Sequence, residues 1–208
     1  MKQTALTSIV INPKHVRIRP DSWKVYFTYA DLQSFPEFPE SPLLELVNGE
    51  LYMVPSPIPN HQRISRNIEF IFVKYLEDHP VGEIFDAPID VVFSEENVLV
   101  PDLVVILDSN KDIIKEKNIS GSPDLIIEIL SQNEEHVKTR KKELYAKNGV
   151  REYWIVDIKE ESITVHLLGK DAKKENSYKR GKMYAKTDFL SPSILPDLKI
   201  DLRNVFRL

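Results

Sequence analysis

Apolar and polar positions along this chain follow two periods, and the switches between them mark its elements. Residues 60–77 carry Ile64, Ile68, Ile71, Phe72, Tyr75 and Leu76 at helical spacing, which predicts a long amphipathic helix. Upstream, Leu43–Val47 and Glu50–Val54 flank Asn48-Gly49, the strongest short-range signal for a two-residue hairpin. Thr28, followed three residues later by Asp31, predicts an N-cap. Residues 28–34 then read as a short helix stopped by Pro36 and Pro39, after a short strand at Val25-Tyr26-Phe27. Pro55, Pro57 and Pro59 make a stiff connector.

Downstream, strands are expected at residues 83–85, 89–93 and 99–107, then a polar loop with a helical turn over 108–121. Residues 124–130 form a dense apolar strand, and 133–147 a helix closed by Asn148-Gly149. Glu152–Asp157 and residues 162–168 read as a second hairpin. The Lys-rich stretch 169–182 reads as a loop, and the tail holds a short strand and a last helical turn. This order predicts an α/β fold of the mixed-sheet kind, with helices packed on a central sheet. Residues 1–27 are expected to be an N-terminal extension and 28–208 one domain.

Four carboxylates interrupt this pattern. In Asp124-Leu-Ile-Ile-Glu128-Ile-Leu130 both faces of the strand are apolar, as in a central strand buried on two sides. Glu128 is the exception, and an ionised carboxylate there must be paired, protonated or coordinated. Asp102 sits in Leu99-Val-Pro-Asp-Leu-Val-Val-Ile-Leu107, Asp90 in Ile89-Asp-Val-Val-Phe93, and Glu45 in Leu43-Leu-Glu-Leu-Val47. Singly, each reads as a strand-end acid bonded to backbone or arginine. Together they suggest convergence on a hard cation such as Mg²⁺, which takes one or two protein carboxylates plus water and phosphate. Asp102 and Glu128, on the two most apolar strands, are the strongest pair.

On the helix that follows, Val137, Leu144 and Tyr145 define an apolar stripe, and Lys141 lies on it. Arg140 and Lys142 each point about 100° away. Lys141 is therefore expected to project toward Glu128, the alternative being a lysine that lays its stem over apolar surface.

Composition changes little in this picture. The chain has 208 residues, 42% hydrophobic and 29% charged, and no cysteine, so disulfides, thiolate metal sites and a cysteine nucleophile are excluded. No apolar run is long enough to span a bilayer and no segment resembles a signal peptide, so no membrane partner and a cytoplasmic location are expected. A net charge of −4 argues against bulk attraction to nucleic acid, although Lys138, Arg140, Lys141 and Lys142 cluster locally. A second cluster, Lys170, Lys173, Lys174, Lys179, Arg180 and Lys182, reads first as a solvated face.

Several segments together resemble one family. They are Val100-Pro-Asp-Leu, Gly121-Ser-Pro-Asp-Leu-Ile-Ile-Glu-Ile-Leu-Ser131, and Lys141 followed by Leu144-Tyr-Ala-Lys-Asn-Gly-Val-Arg-Glu-Tyr-Trp-Ile-Val-Asp157. Leu44-Glu-Leu-Val-Asn-Gly-Glu-Leu51, Pro59-Asn-His-Gln62 and Ala87-Pro-Ile-Asp-Val91 extend the match, in consistent order from about Thr28 to Leu208. The set resembles the Uma-two family of restriction-endonuclease-like proteins, long catalogued as a domain of unknown function, within the PD-(D/E)XK nuclease superfamily. The resemblance implies a restriction-endonuclease-like core, a central mixed sheet of four or five strands flanked by helices. Asp102 would take the place of the first metal-binding aspartate and Glu128 that of the second acid. The superfamily lysine usually stands two residues after that acid, where this chain has Leu130; Lys141 matches a lysine moved to the next helix. Glu45 matches an additional family acid. Val137 stands where relatives commonly have aspartate.

The implied activity is Mg²⁺-dependent hydrolysis of DNA phosphodiester bonds, with Mn²⁺ as an alternative ion. Asp102, Glu128 and a backbone carbonyl near Ile129 would hold the ion. Lys141 would orient the attacking water or offset developing charge, and Glu45 would complete the shell or hold Lys141. His61, near a helix start, reads first as a surface histidine and second as a phosphate contact. Tyr145, Tyr153 and Trp154 read as core. Cutting of both strands would favour a homodimer. The rival readings are a catalytically silent nucleic-acid-binding protein of the same fold, and a hydrolase of RNA or another phosphate ester.

Overall fold

Two β-sheets carry the fold, and the break between two of their strands builds the site. The computed structural model describes residues 17–20, 22, 24–35, 43–130, 137–170, 173 and 175–207. From the N-terminal side, β1 (Arg17–Ile18) pairs with β2 (Val25–Tyr26). Then follow α1 (Tyr29–Gln33), β3 (Leu43–Val47), β4 (Glu50–Val54) and the long helix α2 (Pro59–Asp78). Next come β5 (Gly82–Asp86), β6 (Val91–Ser94), β7 (Asn97–Leu99), β8 (Leu103–Leu107), a 3₁₀ helix at Asp108–Ile113 and β9 (Ile119–Ser120). β10 (Leu125–Leu130) precedes a π-helical turn, Val137–Lys141, that runs into α3 (Lys142–Asn148). The rest comprises β11 (Glu152–Asp157), β12 (Ser162–Lys170), β13 (Asn176–Tyr178), β14 (Lys182–Ala185), β15 (Phe189–Leu190), β16 (Ile200–Asp201) and α4 (Leu202–Val205).

The central sheet has the order β13-β12-β11-β10-β8-β5, with β14 also on β12. Its β10–β11 pair is parallel and its other pairs are antiparallel, so it is mixed, as expected. The second sheet runs β4-β3-β7-β6-β9. Asn48 and Gly49 both have positive φ (52° and 77°), the backbone that a tight hairpin turn between β3 and β4 requires.

β10 is buried on both faces. Leu125, Ile127 and Ile129 join the α2 stripe of Ile64, Ile68, Phe72 and Leu76 in one core. Ile126 and Leu130 face the other way, into a cluster with Leu144, Tyr145, Tyr153, Val47 and Leu99. At about 1.5–3 kcal/mol for each fully buried large apolar side chain, these two clusters fix β10 between α2 and α3.

Three expectations change. The strand expected over 99–107 is two strands in different sheets, parted at Val100-Pro101-Asp102. Pro101 has no N–H to continue the ladder, and the Val100 N–H goes to Glu45 Oε1 at 3.0 Å. The 169–182 loop is replaced by the end of β12, β13 and the start of β14; Lys170, Lys173, Lys179, Arg180 and Lys182 are exposed there, and such charges guard sheet edges. Of the helix expected at 133–147, residues 133–136 lie outside the described set; the described part opens as the π-turn and α3 is capped by Gly149 with φ 89°. Smaller shifts move the 89–93 strand to Val91–Ser94 and the first helix to Tyr29–Gln33, where the Thr28 N–H and hydroxyl donate to Asp31 Oδ2. Pro36 and Pro39 lie outside the described residues. Among the described residues no helix is long and apolar enough to cross a membrane.

Candidate active site

The β8–β10 register pairs Leu103 with Ile127 and Val104 with Ile126. One step further along, Asp102 comes opposite Glu128, where the backbone ladder has just ended. The Ile129 N–H, left without a carbonyl across the gap, donates to Asp102 Oδ2 at 2.7 Å. The strand break thus turns Asp102 from a ladder residue into a side-chain ligand of β10, beside Glu128.

Glu128 lies on the face of β10 covered by α3. Lys141 Nζ donates to Glu128 Oε1 at 3.0 Å and to Glu45 Oε1 at 2.7 Å, and all three side chains are at most 6% exposed. Tyr145, one helical turn beyond Lys141, donates its hydroxyl to the same Glu128 Oε1 at 2.6 Å. Both donors take Oε1, and Glu128 Oε2 receives no hydrogen bond from any described residue. Arg140 is exposed and reaches Tyr52, and Lys142 is half-buried, so Lys141 alone of this basic run turns inward among the described side chains.

The charges around this cluster do not cancel. Glu45 and Glu128 share one ammonium, and a third carboxylate, Asp102, acts on Glu128 from nearby. Burial pushes the Glu128 carboxyl up to about 7; Lys141 opposes this, Asp102 and Glu45 add to it, and the Tyr145 hydrogen bond opposes it again. Burial alone would lower the Lys141 pKa, but the two carboxylates outweigh it and hold the ammonium above the usual lysine range. Burial, with Glu128 close by, raises Tyr145 well above an ordinary phenol. A second cation beside Asp102 and Glu128 would offset the repulsion between them that helps raise the Glu128 carboxyl. Among the described residues, no three His, Asp or Glu side chains form a ready-made metal cage. The donor set is instead the two-carboxylate kind that Mg²⁺ fills out with water and phosphate.

The model of the Uma2 family, described as "Putative restriction endonuclease", matches residues 28–203. The chain belongs to the Uma2 family. No curated protein matches it significantly. Among solved structures, it is similar to a protein from Anabaena variabilis described as "a putative nuclease belonging to DUF820". Sequence identity is 20% over 87% of this chain and 98% of the other, with a TM-score of 0.70. That likeness places the chain in the restriction-endonuclease-like fold, in agreement with the expected fold class.

Of the residues singled out in sequence, this Uma2 chain gathers Glu45, Asp102, Glu128 and Lys141 and leaves Asp90 apart. Asp90 Oδ2 accepts from the Tyr29 hydroxyl at 3.1 Å, and burial raises its carboxyl pKa. Tyr153 and Trp154 are core, as expected, and Trp154 Nε1 donates to the buried Glu152 at 2.7 Å. Tyr145 is core as well, but its hydroxyl serves the cluster; a buried tyrosine needs a partner for that group, and its position one turn after Lys141 was the signal for which one. His61, expected at the surface, is buried, with Nε2 3.2 Å from Asp102 Oδ1. The side chain of Val137 lies outside the described set.

Proposed function

We propose that the protein is a metal-dependent endonuclease that hydrolyses DNA phosphodiester bonds, with Asp102 and Glu128 as metal ligands and Mg²⁺, or Mn²⁺ in its place, as the ion. The observation that carries this reading is the asymmetry of Glu128. Its Oε1 is committed to Lys141 and Tyr145, while Oε2 takes no hydrogen bond from a described residue, and Asp102 is near enough to help raise the Glu128 carboxyl. The Uma2 membership supports the nuclease class.

A divalent cation bound there would polarise the scissile phosphate as a Lewis acid and ease deprotonation of the attacking water. Asp102, gripped by the Ile129 N–H, and Glu128, gripped by Lys141 and Tyr145, present oxygens in fixed directions. Lys141 stays protonated, so it acts as a cation and not as a base. Its charge offsets the negative charge that builds as the water oxygen bonds to phosphorus and the bond to the leaving sugar oxygen breaks. Glu45 holds Lys141 in reach of Glu128. Cutting of both strands favours a homodimer, and the working location is the cytoplasm.

The test is plasmid cleavage with Mg²⁺ or Mn²⁺ by purified protein and by Glu128→Ala. The reading requires cutting by the first and none by the second; cutting that survives in the variant sinks it. The closed Glu45–Lys141–Glu128 triad favours one alternative, a silent nucleic-acid-binding protein, which retains DNA without metal-dependent cutting. RNA and simple phosphate esters complete the substrate panel.

A further inference from the structure

We propose that His61 is a positioning residue for the metal site, acting through Asp102; this rests on the reading of Asp102 as a ligand. His61 is the third residue of α2, and Ile64 and Ile68, on the next turns, are fully buried in the main core. The imidazole is therefore carried on a rigid element anchored independently of the site. It is buried, and its Nε2 lies 3.2 Å from Asp102 Oδ1. Asp102 Oδ2 is already held by the Ile129 N–H at 2.7 Å.

The carboxylate is thus met at both oxygens by two different elements, by a hydrogen bond from β10 at Oδ2 and by the imidazole of α2 at Oδ1. The hydrogen bond at one oxygen and the buried ring against the other limit rotation of the side chain, and both oxygens keep lone pairs for an ion. The grip matters because Asp102 is the most open of the three acids, with its side chain 19% exposed against 3% for Glu45 and 6% for Glu128. It also follows Pro101 at the strand break, where its carbonyl accepts the Ala87 N–H at 3.1 Å and the pairing of β8 with β10 has ended. Without His61 the carboxylate keeps the Ile129 N–H at Oδ2, and Oδ1 can turn toward solvent. Groups that orient a metal ligand in this way typically change metal affinity by about 10–100-fold when removed.

The experiment is a Mn²⁺ titration of the full chain, by calorimetry and by the electron paramagnetic resonance of free Mn²⁺, on wild type, His61→Ala and His61→Gln. The glutamine amide reaches the position of Nε2 and keeps one donor. Circular dichroism and thermal melts establish that each variant folds. His61→Ala is expected to bind Mn²⁺ about 10–100-fold more weakly, and His61→Gln to return to within a few-fold of wild type. Equal affinity in wild type and His61→Ala overturns the proposal, and so does equal weakness of both variants. A wild type that binds no Mn²⁺ overturns the metal reading itself, a result distinct from either.

Discussion

Lys141 Nζ donates to Glu128 Oε1 at 3.0 Å from the π-helical turn after β10, and not from the strand that carries the glutamate. Leu130, two residues after Glu128, is packed in the apolar cluster on that face. An ammonium therefore reaches the acid from the covering layer, where Glu45 of the second sheet also meets it. The cluster joins three separately built elements, so its integrity depends on their packing as well as on its charges.

Lys141→Met should test that dependence. It leaves two buried carboxylates without their cation, and removing one partner of a buried pair costs about 3–5 kcal/mol. For a domain of this size the melting temperature should fall by roughly 10 °C. Cleavage should be lost even at temperatures where the variant is folded, read on a plasmid substrate. A variant as stable as wild type would show that the triad contributes nothing to the fold.

Glu45→Gln separates the two jobs of that residue. The amide oxygen can still accept the Val100 N–H, now at 3.0 Å from Glu45 Oε1, while one of the two charges holding Lys141 is gone. Folding should be largely kept, and cleavage should fall by about 10–100-fold, as for other groups that orient a working residue. Unchanged cleavage would make Glu45 purely architectural.

Tyr145→Phe keeps the ring in its contacts with Phe93 and Tyr153 and deletes only the hydroxyl on Glu128. Loss of a hydrogen bond to a charged group should cost about 1.5–3 kcal/mol, measured by denaturant unfolding. Because that bond lowers the Glu128 pKa, its removal should move the carboxyl further up, which infrared titration of the carboxyl band would detect.

His166 predicts a pH dependence of stability that is separate from the site. The ring is packed against Tyr153 and Tyr178, near Lys142 and the Lys179 backbone, and its Nδ1 has no hydrogen-bond partner among the described residues. Burial first, then the Lys142 charge, lower its pKa in the folded chain. A depressed value means that the unfolded chain takes up the proton first. Its contribution is therefore present above about pH 6.5, the ordinary imidazole value, and is lost as the pH falls below it. Melts of wild type and His166→Gln between pH 7.5 and about pH 5 should converge toward the acid end; parallel curves would contradict this.

Much of this was legible in the sequence, for identifiable reasons. A carboxylate in Leu125–Leu130 has few physical options, which singled out Glu128, and helical spacing aimed Lys141 at it. The hairpin at Asn48-Gly49 was equally plain, because few other residues accept positive φ twice in a row. The break at Pro101 was missed although proline carried the signal, because apolar residues on both sides read as one strand. β13 and β14 were hidden because exposed edge strands rich in lysine look like loops. His61 could not be singled out, since one histidine near a helix start has no periodic partner; only the register that brings Asp102 opposite Glu128 shows what it meets.

The central claim is that Asp102 and Glu128 together bind a divalent ion. It is tested most directly by crystals of the protein soaked in Mn²⁺, with anomalous diffraction recorded at the manganese edge. A single anomalous peak between the Asp102 carboxylate and Glu128 Oε2, absent from Glu128→Gln crystals treated alike, is the predicted result. No peak there, or one that persists unchanged in the variant, would contradict it.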